Sequence, residues 1–161
     1  KGRTLYISRT GTYLNDLRGR IDAVDLDSPE KVPATVSSEF PVHREIVRTT
    51  GMRAVIHGHP KFAVIMSMAC DKRDCLYRDS CQTMCPSERY AAGIPVVPGE
   101  SGTGQYGLYR KLPAAMKISN SVIVYGHGVF SAGAEDFNEA FSGLLNAERK
   151  CRAEYFNYLH K

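Results

Sequence analysis

Alternation of apolar and polar positions marks the strands of this chain. Thr4-Leu5-Tyr6-Ile7-Ser8 shows it, as does the run from Ile21 to Leu26, and both are rich in strand formers. Ala54-Val55-Ile56-His57-Gly58-His59-Pro60 reads as a more buried strand, ended by Pro60 because proline has no N–H for the ladder. Gly93 to Pro98 is a short edge strand. Ser121 to Tyr125 is a stronger one; after Gly126-His127-Gly128 the pattern resumes as Val129 to Gly133. Between these, Ser28 to Lys31 is a loop, and Phe40 to Val47 has helical period, with Ser38 as its N-cap and Pro41 tolerated in the first turn. Phe62 to Met68 is most simply a core helix, and Leu108 to Met116 is a helix entered from a glycine-rich loop. From Ala134 to His160 a long helical run places Phe137, Phe141, Leu144, Leu145, Cys151 and Tyr155 on one stripe, and Glu148 with them.

Length and composition narrow the class. The 161 residues suffice for a single domain with its own core, and 43% apolar with 24% charged residues is the balance of a globular protein. No apolar run approaches the roughly 18–20 residues that span a bilayer, so no membrane role is expected. The net charge of +4 suits a small anionic substrate. It is too weak and dispersed for nucleic acid, because no Lys/Arg stripe with interleaved aromatics appears. Five cysteines, four of them clustered, do not form a secreted disulfide framework, and a reducing, cytoplasmic setting is expected.

Candidate chemistry then falls at a few places. His57 and His59 stand at i and i+2 of a strand, so they point the same way with Gly58 between them, a geometry that can chelate a divalent metal. The pair also suits two ordinary polar residues at a strand end. His127, bracketed by glycines, marks a close backbone approach and would complete a three-imidazole set, the ligand pattern of catalytic zinc. Thr10 and Gly11 lie in a small polar turn whose N–H groups and hydroxyl could meet a phosphate, though such turns commonly bind only water. Ser37 and Ser38 at a helix N-terminus form a second possible anion site. Glu39 beside them is favoured by the helix dipole and needs no catalytic explanation. Glu148 on an apolar stripe would need a partner: the free N–H of a ligand histidine, a buried arginine, or solvent. Gly102-Thr103-Gly104-Gln105-Tyr106-Gly107 spells GxGxxG, but no βαβ frame surrounds it and no acidic residue follows at the distance that holds a ribose, so it is read as a plain loop.

Cys70, Cys75, Cys81 and Cys85 lie within one short polar stretch, with four, five and three residues between them. Thiolates at that density suit zinc or an iron–sulfur cluster, although the spacings match neither a zinc-ribbon pair nor the common ferredoxin run. Reversible disulfide chemistry and unligated thiols are the other readings.

Taken together and in this order, Thr10-Gly11, Ser37-Ser38-Glu39, His57-Gly58-His59 and His127-Gly128 resemble the class II aldolase/adducin family, which includes fuculose-1-phosphate aldolase and ribulose-5-phosphate 4-epimerase. The resemblance runs from Thr4 to the C-terminal helix. It implies an α/β fold, three-layer α/β/α around a mostly antiparallel sheet, and a homotetramer with sites between subunits. It also implies a divalent metal, commonly Zn2+, on His57, His59 and His127, with Glu39 as the acid/base and Thr10, Gly11, Ser37 and Ser38 on the substrate phosphate. A further Gly-Asn-x-Ser loop of that phosphate site has no counterpart here. The expectation is therefore a single domain over 1–161 lacking an N-terminal segment, with residues 70–86 as a Cys-rich insertion foreign to the sugar-phosphate aldolases.

The implied activity is retro-aldol cleavage of a small ketose phosphate, with the metal stabilising the enediolate and Glu39 moving the proton. A 4-epimerase shares the retro-aldol step but carries aspartate at the position of Glu39. A methylthio-sugar-phosphate dehydratase shares the glutamate. A non-catalytic adducin-like scaffold is the alternative from another class, and three intact histidines speak against it.

Overall fold

The computed structural model describes residues 3–72 and 74–160. Its centre is a five-stranded sheet in the order β3-β7-β6-β5-β4, made of β3 (Ala54–Gly58), β4 (Arg89–Ala91), β5 (Ile94–Val97), β6 (Ser121–Val124) and β7 (Gly128–Gly133). Every neighbouring pair is antiparallel except β5 with β6. The first two predicted strands, β1 (Thr4–Ser8) and β2 (Ile21–Asp25), form a separate antiparallel hairpin.

Period-two alternation distributes the sheet's side chains to two layers of helix. Val122, Val124, Phe130 and Ala132 face α1 (Phe40–Thr50) and α3 (Leu108–Ala115), meeting Val42, Ile46, Leu108 and Leu112. Ile123 and Val129 face the opposite way, toward α2 (Lys61–Met68) and α4 (Phe137–Leu159), meeting Ala63, Ala147 and Cys151. This is the expected three-layer α/β/α arrangement around a mostly antiparallel sheet. Among the described residues no helix is long and apolar enough to cross a membrane.

Several local expectations change. The edge on that side of the sheet is β4, not the segment around Ile94, which pairs on both sides. The Gly126-His127 interruption is not a continuing strand: β6 and β7 pair antiparallel with Val124 opposite Gly128, so the chain reverses there. A hydrophobic pattern on both flanks cannot separate a strand that continues from one that turns back. Ser28 to Lys31 contains a 3-10 turn at Pro29–Lys31. Helix α2 is less of a core helix than its composition suggests, since only Ala63 and Ser67 are buried while Ile65 and Met68 are exposed. On α4 the predicted stripe splits. Ala140, Leu144, Ala147 and Cys151 are buried, whereas Phe137, Phe141 and Leu145 stay exposed. Small residues let α4 lie close to the sheet: a Cβ at Gly143 would collide with the Ser131 hydroxyl.

Candidate active site

Strand β3 is held against β7 with His57 opposite Phe130. The two rings stack with centroids 4.1 Å apart, which fixes the imidazole plane. Its Nδ1 lies 3.1 Å from the Val129 carbonyl. A carbonyl oxygen can only accept, so Nδ1 carries the proton and Nε2 is left with its lone pair. Strand β3 stops at Gly58, one residue short of the sequence expectation, and His59 lies just beyond it. Pro60 then serves as the N-cap of α2. The i, i+2 relation still aligns the two rings: His57 Nε2 and His59 Nε2 are 3.1 Å apart.

The third imidazole comes from the tight β6–β7 turn. Gly126 takes φ +62°, a conformation open to glycine at little cost. Its N–H donates to the hydroxyl of buried Ser67 on α2 at 2.8 Å, which anchors the turn to the helix layer. The His127 N–H closes the turn on the Val124 carbonyl. His127 stacks on His59 with ring centroids 5.1 Å apart. One ring nitrogen from each of the three histidines lies within 4.8 Å of the others. Among the described residues this is the one group of three or more His, Cys, Asp or Glu side chains whose donor atoms could share an ion. Gly128 is a geometric condition of that arrangement. A Cβ there would meet the Gly58 carbonyl, His59 Cδ2 at 2.7 Å and His57 Cε1 at 3.0 Å.

Burial favours the neutral form of His57 and His127. His57 is pushed down to about 3, first by desolvation and then by the charge His127 would carry, with the Val129 hydrogen bond acting in the opposite sense. Burial also lowers His127, against the pull of the Glu39 charge. His43, whose ring lies 5.7 Å from that of Phe130, is lowered to about 4 by desolvation. Neutral imidazoles with their lone pairs gathered at one point are what a borderline-soft divalent cation requires.

Glu39 is 8% exposed and sits immediately before α1. Ser101 donates to its Oε1 at 2.6 Å, while Oε2 is buried without a hydrogen-bond partner. Leaving a buried carboxylate oxygen unpaired is costly, so Oε2 is suited to meet something that enters the cavity. Ser38 does not cap the helix; the Ser37 hydroxyl instead accepts from the Glu39 N–H at 3.3 Å, in a turn that presents Glu39.

All of these groups border one cavity of about 990 Å³. Thr10, Gly11, Ser37, Ser38, Glu39, His57, His59 and His127 line it, so every residue singled out for the metal, the proton and the phosphate reaches a common space. The Thr10 turn offers fewer free donors than its sequence suggests. The Thr10 N–H goes to the Thr35 carbonyl and the Thr12 N–H to the Arg9 carbonyl. Thr12 Oγ1, however, is a second buried polar atom without a partner, and Thr12 borders the same cavity. Ser101, Thr12 and His43 are site residues that the sequence alone does not single out. Ser101 lies at the edge of the glycine-rich loop, and nothing local points it at a glutamate 62 positions away.

Glu148 finds a partner outside the three that its sequence position suggests. Its carboxylate accepts from the Phe62 N–H at 2.9 Å and the Ala63 N–H at 3.0 Å. It thus caps the N-terminus of α2, directly after His59 and Pro60, where a negative charge is favoured.

The four clustered cysteines lie elsewhere and border a second cavity, of about 480 Å³. None of the five cysteines is in a disulfide.

Comparison with known proteins places the chain. A search of curated protein sequences finds no match. Among solved structures, L-fuculose-1-phosphate aldolase from Thermus thermophilus superposes with a TM-score of 0.73 at 23% identity, over 94% of this chain and 76% of that one. YgbL from Escherichia coli gives 0.69 at 18% identity, over 95% and 73%. The sugar-phosphate aldolase from Thermotoga maritima gives 0.63 at 18% identity, over 95% and 72%. At these identities the likeness is one of fold. Residues 1–155 match the family described as Class II Aldolase and Adducin N-terminal domain, and the chain belongs to that family.

Proposed function

We propose that this chain is a metal-dependent aldolase-type lyase that cleaves a small ketose phosphate. One observation carries the reading: three converging imidazoles and a buried carboxylate with a free oxygen open onto the same cavity. His57, His59 and His127 would hold the divalent ion, with zinc suited to an all-imidazole donor set. When bound, it supplies Lewis acidity toward a carbonyl and its neighbouring hydroxyl.

The protein's own groups do the rest. Ser101 fixes one oxygen of Glu39 and leaves the other to exchange a proton with the substrate. Cleaving the carbon–carbon bond requires a proton to leave the hydroxyl on one fragment and a proton to reach the carbon left with the electron pair on the other. Glu39 is the acid/base that would move them. Ser37 and Ser38, just ahead of α1, offer hydroxyls beside the positive end of a helix dipole and suit a phosphate. Gly11 at φ +69° and the unpaired Thr12 hydroxyl approach the cavity from the β1 side. The names of the Thermus and Thermotoga neighbours support a phosphorylated sugar as substrate.

The same reading has the chain working as a homo-oligomer, a tetramer by family resemblance. The exposed Phe137, Phe141 and Leu145, with Phe137 at the cavity rim, support burial of that stripe against another copy.

The test is a panel of ketose phosphates offered to metal-loaded protein, scored for release of a three-carbon fragment. Release supports the lyase. Epimerised sugar without cleavage, or loss of water, would move the chain to the 4-epimerase or dehydratase reading. Metal bound with no turnover on any of them would favour a binding role.

A further inference from the structure

The segment from Cys70 to Cys85 has no part in the chemistry above, yet its side chains are sorted in an unusual way. Its large apolar residues point outward: Leu76 is 97% exposed, and Tyr77 and Met84 are exposed as well. Cys75, Cys81 and Cys85 are half-buried instead, and all four thiols, exposed Cys70 included, border one cavity of about 480 Å³. Hydrophobic packing would turn leucine, tyrosine and methionine inward along with cysteine. Ligation is a force that would gather thiols and leave the apolar side chains outside.

From this placement we propose that Cys70, Cys75, Cys81 and Cys85 bind a [4Fe–4S] cluster.

Spacing favours a cluster over a single ion. Zinc holds each sulfur at about 2.3 Å, so its ligands must crowd round one point. Among the described residues only the three histidines meet that condition. The thiols surround a wider space instead, as they must when each binds a different corner of a cluster.

Charge agrees too. Four thiols that give up their protons on ligation bring more negative charge than the cluster core offsets. The cavity wall answers with Lys72, Arg78 and Arg89 against Asp79 and Glu88. Two of these cations also tie the segment down. Lys72 donates to the Ser87 hydroxyl at 2.6 Å, and Arg89 donates to the Ser67 and Ala69 carbonyls, both at 2.7 Å.

The location gives the cluster a structural connection. Tyr125 borders its cavity, His127 borders the other, and Gly126 alone separates them in one turn. A cluster here would brace the insertion against the turn that carries the third imidazole.

The full chain, purified without oxygen and reconstituted with sulfide and equal parts of ferrous and ferric iron, the mixture that matches the cluster's oxidation level, tests this. The expected result is iron and acid-labile sulfide in equal amounts, four of each per chain, with broad visible charge-transfer absorption that bleaches under dithionite. Cys81→Ala/Cys85→Ala should lose both the sulfide and the colour, while Cys151→Ala, changed in the buried face of α4, should keep them. Should the double variant fail to fold, alkylation of the wild type read peptide by peptide replaces it. Cys70, Cys75, Cys81 and Cys85 should then be protected only after reconstitution. Iron bound without sulfide, thiols still open to alkylation after reconstitution, or one zinc per chain blocking all four would each overturn the proposal.

Discussion

His57, His59 and His127 are set by a paired strand, a stacked phenylalanine and a turn anchored to Ser67. Cys70, Cys75, Cys81 and Cys85 sit in a segment whose regular structure, among the described residues, is a single 3-10 turn at Arg78–Ser80. The imidazole donors are therefore gathered by the fold itself, within reach of one ion. The thiols share a cavity without sharing a point. A site preorganised by a sheet asks its ligand for little ordering, whereas a site in an irregular loop depends on the ligand for much of its order. Disturbing the first should act on chemistry and metal affinity, with small effects on the fold. Disturbing the second should act on the order of that segment.

The sharpest way to break the comparison is at Glu39. Glu39→Gln keeps the shape and the Ser101 contact but removes the carboxylate proposed as acid/base, so turnover should fall about 10²–10⁴-fold. The bound metal should remain, as measured by steady-state kinetics beside elemental analysis. Gly128→Ala acts through space instead. Its Cβ would push on both His57 and His59, and metal affinity should fall roughly 10–100-fold, the range seen when groups around a ligand are disturbed. Equilibrium titration with zinc reads it directly.

How much of this the sequence discloses depends on how local each signal is. The histidine pair is legible because a two-residue period is written into consecutive positions. Glu39, Ser37 and Ser38 are legible because they precede a helix start. The roles of Ser101 and Glu148 are not, since each acts on a backbone or side chain far along the chain, 62 and 86 positions away. The stripe on α4 reads as one face although Phe137, Phe141 and Leu145 lie outside the buried set. Helical period shows that apolar residues share a side, and cannot say whether that side meets the sheet or another surface. The hairpin at His127 reads as an interrupted strand for a similar reason, because strand direction is absent from a hydrophobic pattern. The layered fold itself needs the ordered set of motifs; alternation alone gives the elements and not their arrangement.

Smaller effects refine the contrast. Glu148→Ala removes the carboxylate that caps α2 and leaves the Phe62 and Ala63 N–H groups without it. Stability should drop by roughly 1–3 kcal/mol, read by urea unfolding, while the cysteine segment should be unaffected. The mildest test is acid. His57 at about 3 and His43 at about 4 lie below the ordinary histidine value of 6.5. Below about 6.5 the unfolded chain therefore binds protons that the folded chain refuses, and stability falls with pH. The metal-free protein should lose denaturant resistance steadily from about pH 6.5 toward pH 4, beginning above the range where carboxylates titrate. A flat profile between about pH 6.5 and 5 would mean that these imidazoles are not buried as described.

The central claim is that three imidazoles from two separate segments hold one ion. Divalent-metal content of the wild type and of His127→Ala, purified side by side and checked for folding by circular dichroism, tests it most directly. The account predicts about one divalent ion per chain in the wild type, counted apart from any iron that accompanies sulfide, and its loss in the variant with the fold intact. Equal metal in both would contradict it.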